Sequence, residues 1–131
     1  MSERATVIDA SALLCLVLGE PGADRVTAAL EARECMISAV NLSEVAAKLD
    51  EAGVPAAQIE GLARGLRLRV EPFDEAQALG CAQMKKATRS LGLSLGDRAC
   101  LFLARRHGAV ALTTDRAWAR AKAGVKVELV R

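Results

Sequence analysis

Five short apolar runs recur along the chain: "ATVID" (Ala5–Asp9), "CMIS" (Cys35–Ser38), "LRVEPF" (Leu68–Phe73), "AVALT" (Ala109–Thr113) and "VKVELV" (Val125–Val130). Segments of helical length separate them. Strands that are nearly continuous in apolar residues, rather than alternating, are buried on both faces, and a parallel sheet covered by helices provides such burial. The connections are also long enough for parallel crossovers and too long for hairpins. This pattern predicts a doubly wound α/β domain with a five-stranded parallel sheet. The expected helices run through "ASALLCLVLGE", "ADRVTAALEAR", "AVNLSEVAAKLDEAG" up to Gly53, and "PAAQIEGLARGLR", the last weakened by internal glycines. A long helix capped by Asp74 is expected through Ser90, another from about Gly96 to His107 with a stop at Gly108, and a short one from Arg116. A chain of 131 residues buries one core, so residues 1–131 read as a single domain without linker or repeat.

Several function classes drop out. The apolar runs are far shorter than the roughly 18 to 20 residues of a membrane span. Met1–Arg4 lead straight into a strand-like run rather than an apolar leader, so a cytoplasmic chain with no membrane partner is expected. The four cysteines, Cys15, Cys35, Cys81 and Cys100, lack CxxC spacing and sit among apolar residues as buried thiols do. The single histidine, His107, stands at a helix C-terminus, where a cation suits the helix dipole, so histidine triads and histidine metal sites are excluded. Residues 1–66 carry 5 Lys/Arg against 10 Asp/Glu, and residues 67–131 carry 13 against 6, a balance of −5 against +7. A basic half suits an anionic ligand such as nucleic acid. With Phe73, Phe102 and Trp118 as the only aromatics, contact to nucleic acid is expected at the backbone rather than by base stacking.

In open parallel sheets the ligand crevice lies beyond the carboxyl ends of the strands. Asp9 ends the first strand there, and Glu44 falls in about the first turn of the helix after the second. Asp97 starts a helix whose descent of roughly 16 Å is matched by the climb of the following strand, so Asp115 returns to the same level. Each acid alone has a simpler reading as a helix cap. Together, with no histidine or lysine to balance them, they suit a hard cation with oxygen ligands, Mg²⁺ or Mn²⁺, provided the first and fourth strands are neighbours. A phosphotransfer module is disfavoured because Ser11 stands where a second aspartate is required. A non-catalytic regulator that binds RNA or a protein partner would keep the basic half without needing all four acids.

The segments "VIDASALL", "ISAVNLSEVAAKL", "LGLSLGDRACLFLA" and "ALTTDRAW" resemble, in order and spacing, those of PIN-domain ribonucleases, and most closely the VapC toxins of bacterial toxin–antitoxin pairs. The resemblance implies a sheet order of 3-2-1-4-5 and an acidic metal pocket of Asp9, Glu44, Asp97 and Asp115, with Asp9 and Asp97 as direct ligands. It implies small polar residues, Ser11 and Thr114, beside the pocket. Arg98 and Arg116, each following a motif acid, would hold RNA phosphate or tether the acids. It further implies Mg²⁺- or Mn²⁺-dependent endoribonuclease activity, a homodimer, and inhibition by a VapB-like antitoxin received on helical faces of "SALLCLVLGE" and "LSEVAAKLDEAG".

Overall fold

The computed structural model describes residues 5–121 and 123–131. Strands β1 (Thr6–Ile8), β2 (Cys35–Ser38), β3 (Arg69–Glu71), β4 (Val110–Thr113) and β5 (Lys126–Leu129) form one sheet in the order β3-β2-β1-β4-β5. Every neighbouring pair is parallel. The helices are α1 (Ala10–Val17), α2 (Ala23–Ala32), α3 (Ala39–Glu51), α4 (Ala56–Gly65), α5 (Glu75–Ala87) and α6 (Leu95–His107), with 3-10 turns at Arg89–Leu91 and Arg116–Arg120. Among the described residues, no helix is long and apolar enough to cross a membrane.

Strand alternation divides the core between the two faces of the sheet. Ile8, Ile37 and Leu112 pack with Leu13 of α1, Val26 of α2, and Val45 and Leu49 of α3. Their neighbours Val7, Met36 and Ala111 turn the other way, toward Met84 of α5, Leu101 and Leu103 of α6, and Trp118. Successive residues on a strand point to opposite faces, so β1, β2 and β4 must be apolar at every central position to serve both layers. The edge strands carry the charges: Arg69 on β3 pairs with Glu34 at 2.8 Å and Glu71 at 2.7 Å, a polar edge of the kind that discourages further strand addition.

Cap chemistry shifts several boundaries from those expected. Asp9 lies beyond β1 as the N-cap of α1, not as the strand's last residue. The helix after Gly92 starts at Leu95 because Ser94 caps it, which makes Asp97 its third residue rather than its start. The long helix stops at Ala87, where the Thr88 hydroxyl donates to Met84 O at 2.8 Å, and the chain continues as a 3-10 turn. Gly108 closes α6 in the left-handed region at φ 60°, a conformation that costs glycine little.

Candidate active site

Order β1 next to β4 places the ends of those two strands side by side, and Asp9 N donates to Leu112 O at 3.1 Å across them. Asp9 sits at that junction, 4% exposed. Its Oδ1 accepts from Ala12 N at 2.8 Å and from Ser11 Oγ at 2.7 Å. Its Oδ2 accepts from Thr113 Oγ1 at 2.7 Å. Burial, with a smaller push from the charge of Asp97, raises the carboxyl to about 6, despite the pull of Ser11, Ala12 and Thr113 in the opposite direction.

Asp97 is half-buried in the first turn of α6. It forms a capping box with Ser94: Ser94 Oγ accepts from Asp97 N at 3.1 Å, and Asp97 Oδ2 accepts from Ser94 N at 3.0 Å. Glu44 lies at the start of the second turn of α3 and is exposed. Its carboxylate rests against Gly96, where a Cβ would collide with it. Cys100, one turn along α6 from Asp97, is fully buried. Burial raises its thiol well above the ordinary value, and the charges of Asp9, Asp97 and Glu44 add to the rise.

The fourth acid, Asp115, is exposed and caps the 3-10 turn, its Oδ1 accepting from Ala117 N at 2.9 Å. It joins the others through backbone: Asp115 N donates to Thr113 Oγ1 at 3.0 Å. Thus Asp9, Asp97 and Glu44 share one electrostatic neighbourhood, while Asp115 stands at its rim. Glu44 also borders a cleft of about 520 Å³ lined by Ser43, Phe73, Ser94, Leu95 and Gly96.

Two expected neighbours are corrected. The pocket hydroxyl from the end of β4 is Thr113, fully buried, and not Thr114, which contributes only its backbone N–H, donated to Ser11 Oγ at 3.1 Å. Strand alternation sends the two threonine side chains in opposite directions. Arg98 tethers none of the acids: it is half-buried, its Nη1 donates to Cys81 O on α5 at 3.0 Å, and its Nε is buried. One residue past Asp97 on a helix is a rotation of about 100°, which carries Arg98 toward the neighbouring helix. Ser11 stands where expected, and Arg116 is exposed at the start of its 3-10 turn. Sequence reasoning missed Thr113 and Asn41. Asn41 had a signal, because it shares the buried stripe of α3 with Val45 and Leu49, where a polar residue is out of place.

Among the described residues no three His, Cys, Asp or Glu side chains close on a single ion position. The donors nevertheless suit a hard divalent cation, since all are carboxylate oxygens. Asp9 Oδ2 accepts one hydrogen bond and keeps a second lone pair. A cation would also offset the burial that makes ionised Asp9 unfavourable.

Fold and site together define a doubly wound parallel α/β domain with an acidic cluster where β1 and β4 end. A family model described as PIN domain matches residues 6–124, and the chain belongs to the PIN-domain family. No curated protein matches it. Among solved structures, FitAcB from Neisseria gonorrhoeae is 22% identical, with a TM-score of 0.73, covering 95% of this chain and 97% of that one. DNA-bound VapBC from Salmonella typhimurium is 18% identical at TM-score 0.74, covering 98% and 100%. Mycobacterium tuberculosis VapC20, described as a sarcin-ricin loop cleaving toxin, is 17% identical at TM-score 0.72, covering 89% and 95%. At these identities the likeness is one of fold.

Proposed function

We propose that this chain is a metal-dependent endoribonuclease, the toxin of a toxin–antitoxin pair, acting in the cytoplasm as a homodimer. The observation that carries the reading is the placement of Asp9 between the ends of β1 and β4, within reach of the charge of Asp97, with the Glu44 carboxylate against Gly96 in the same first turn of α6 as Asp97. Carboxylates that share one neighbourhood at the mouth of a parallel sheet are costly unless a cation offsets their charge. Asp9 and Asp97 are the direct ligands, with Glu44 and Asp115 completing the acidic set around Mg²⁺ or Mn²⁺. Such an ion polarises a phosphodiester and acidifies bound water. Ser11, Ala12 N and Thr113 hold the Asp9 carboxylate in one orientation, and Ser94 does the same for Asp97. Arg116 and the basic second half receive the RNA backbone. The toxin–antitoxin context of the structural neighbours, and the RNA target in the description of VapC20, support the same reading.

The surface suited to a VapB-like antitoxin is a groove of about 710 Å³ between α1, α2 and α4, lined by Leu16, Val17, Leu30, Leu62 and Leu66. Val17 and Leu18 are 37% and 54% exposed beside it. The apolar stripe of α3, by contrast, is taken up by the core. An amphipathic helix would lay its apolar face in such a groove.

The test is direct. Purified chain freed of antitoxin should cut RNA with Mg²⁺ or Mn²⁺ and stop in EDTA. Undiminished cleavage in EDTA by nuclease-free preparations would overturn the proposal, and binding without cleavage under any metal would favour a non-catalytic regulator.

A further inference from the structure

Glu44 poses a problem of placement. Its side chain is exposed, and an exposed glutamate on a helix ordinarily samples several rotamers. An ion site needs its carboxylates held in place by surrounding groups. Asn41 and Gly96 meet that need. Asn41, one turn earlier on α3, is 1% exposed, and its Nδ2 donates both to Glu44 Oε1 and to Gly96 O, each at 3.0 Å. Both partners are acceptors, which sets the orientation of the amide. Gly96 in turn leaves open the space that the Glu44 carboxylate fills.

Asn41 is also an expensive residue to keep. Its Oδ1 is buried without a partner, which costs stability, and it interrupts the core stripe completed by Val45 and Leu49. A polar group retained against stability at a core position marks a functional constraint. We propose that Asn41 and Gly96 form a seat for Glu44: positioning residues that hold its carboxylate at the start of α6, beside Asp97, for the divalent cation. The inference rests on the reading of the acids as an ion site.

Two variants release Glu44 by independent routes. Asn41→Leu keeps the branched outline and the number of heavy atoms while removing both the donor and the unpaired oxygen. Gly96→Ala displaces only the flexible end of Glu44 and improves helix propensity. In EDTA neither should melt below wild type. Mn²⁺ affinity, read by electron paramagnetic resonance of the free ion, should fall about tenfold in each, the lower range for lost supporting contacts at metal sites. Glu44→Gln should lose at least as much, and adding either variant to it should cause no further loss. The Mn²⁺ concentration for half-maximal RNA cleavage should rise in step, with KM for RNA unchanged. Wild-type Mn²⁺ affinity in both Asn41→Leu and Gly96→Ala, beside a clear loss in Glu44→Gln, would sink the seat and leave the ion-site reading standing. If Glu44→Gln itself binds Mn²⁺ as wild type does, the role of Glu44 fails and the seat falls with it.

Discussion

Asp9 and Asp115 begin from the same local physics. Each stands in extended backbone just after a strand of the same sheet, and each caps the helical turn next in the chain, Asp9 by accepting from Ala12 N at 2.8 Å and Asp115 from Ala117 N at 2.9 Å. Their surroundings then diverge. Asp9 is enclosed between β1 and β4, takes two hydroxyl donors as well, and has its carboxyl raised to about 6 by burial. Asp115 is exposed, with the cap as its one side-chain bond among the described residues. The difference teaches that a cap and a site ligand are not alternatives. The cap orients the carboxylate, and tertiary packing decides how costly its charge is.

Asp9→Asn should therefore have the largest effect, and in two opposite directions. RNA cleavage should fall on the order of 10³-fold, the scale of losing a ligand to an ion that stabilises transition-state charge by several kcal/mol. Stability in EDTA should rise, because asparagine caps as well as aspartate and carries no buried charge. The sign comes from linkage. With the folded carboxyl near 6 and the ordinary value at 3.8, the native state holds the proton more tightly. Wild-type stability is thus full below about 3.8 and declines as pH rises through about 6, by about 3 kcal/mol in all. Melts of the metal-free proteins between pH 3.5 and 8 should show this decline in wild type and lack it in Asp9→Asn. An unchanged decline would place the titration elsewhere.

Asp97→Asn comes next. Cleavage and the thermal shift produced by Mn²⁺ should both be lost, since ligand-induced stabilisation depends on binding to the native state. Stability in EDTA should change by less than about 1 kcal/mol, because relief of the Asp97 push on Asp9 offsets a weakened capping box. Thr113→Val is milder. It preserves shape but removes the donor to Asp9 Oδ2, and a lost bond to the charged form raises the carboxyl further. The acidic limb of the cleavage profile should move to higher pH, with about a tenfold loss at neutral pH. Cleavage profiles of wild type and Thr113→Val that superimpose across pH would break the link between that hydroxyl and Asp9.

The contrast also shows what a sequence can carry. The strands β1, β2 and β4 were readable because burial on both faces forces near-continuous apolar runs, whereas their order came from the family resemblance, since the runs do not say which strands are neighbours. The four acids were readable as residues at helix starts near one sheet edge. Their unequal environments were not, because desolvation of Asp9 depends on β1 and β4 packing side by side. Thr113 and Thr114 differ by one position, and only the register of β4 against β1 decides which hydroxyl meets Asp9. The Arg98 contact was not legible for a related reason: its partner, Cys81 O, lies 17 residues away on α5, beyond the reach of any local pattern.

Asp115→Asn carries the smallest expected effect and tests the comparison most closely. Asparagine retains the cap, and with little desolvation at an exposed position the stability change should stay within about 0.5 kcal/mol, with no pH-dependent gain like that of Asp9→Asn. At low Mn²⁺, cleavage should fall about tenfold, because a rim carboxylate still attracts the ion through solvent. Saturating Mn²⁺ should restore most of the rate, whereas no Mn²⁺ concentration should rescue Asp9→Asn. The measurement is a Mn²⁺ titration of cleavage for both variants beside their melts in EDTA. A loss in Asp115→Asn as deep and as unrescuable as that in Asp9→Asn would show that the exposed acid is drawn fully into the site, and the distinction between the two corners would be one of the metal-free protein alone.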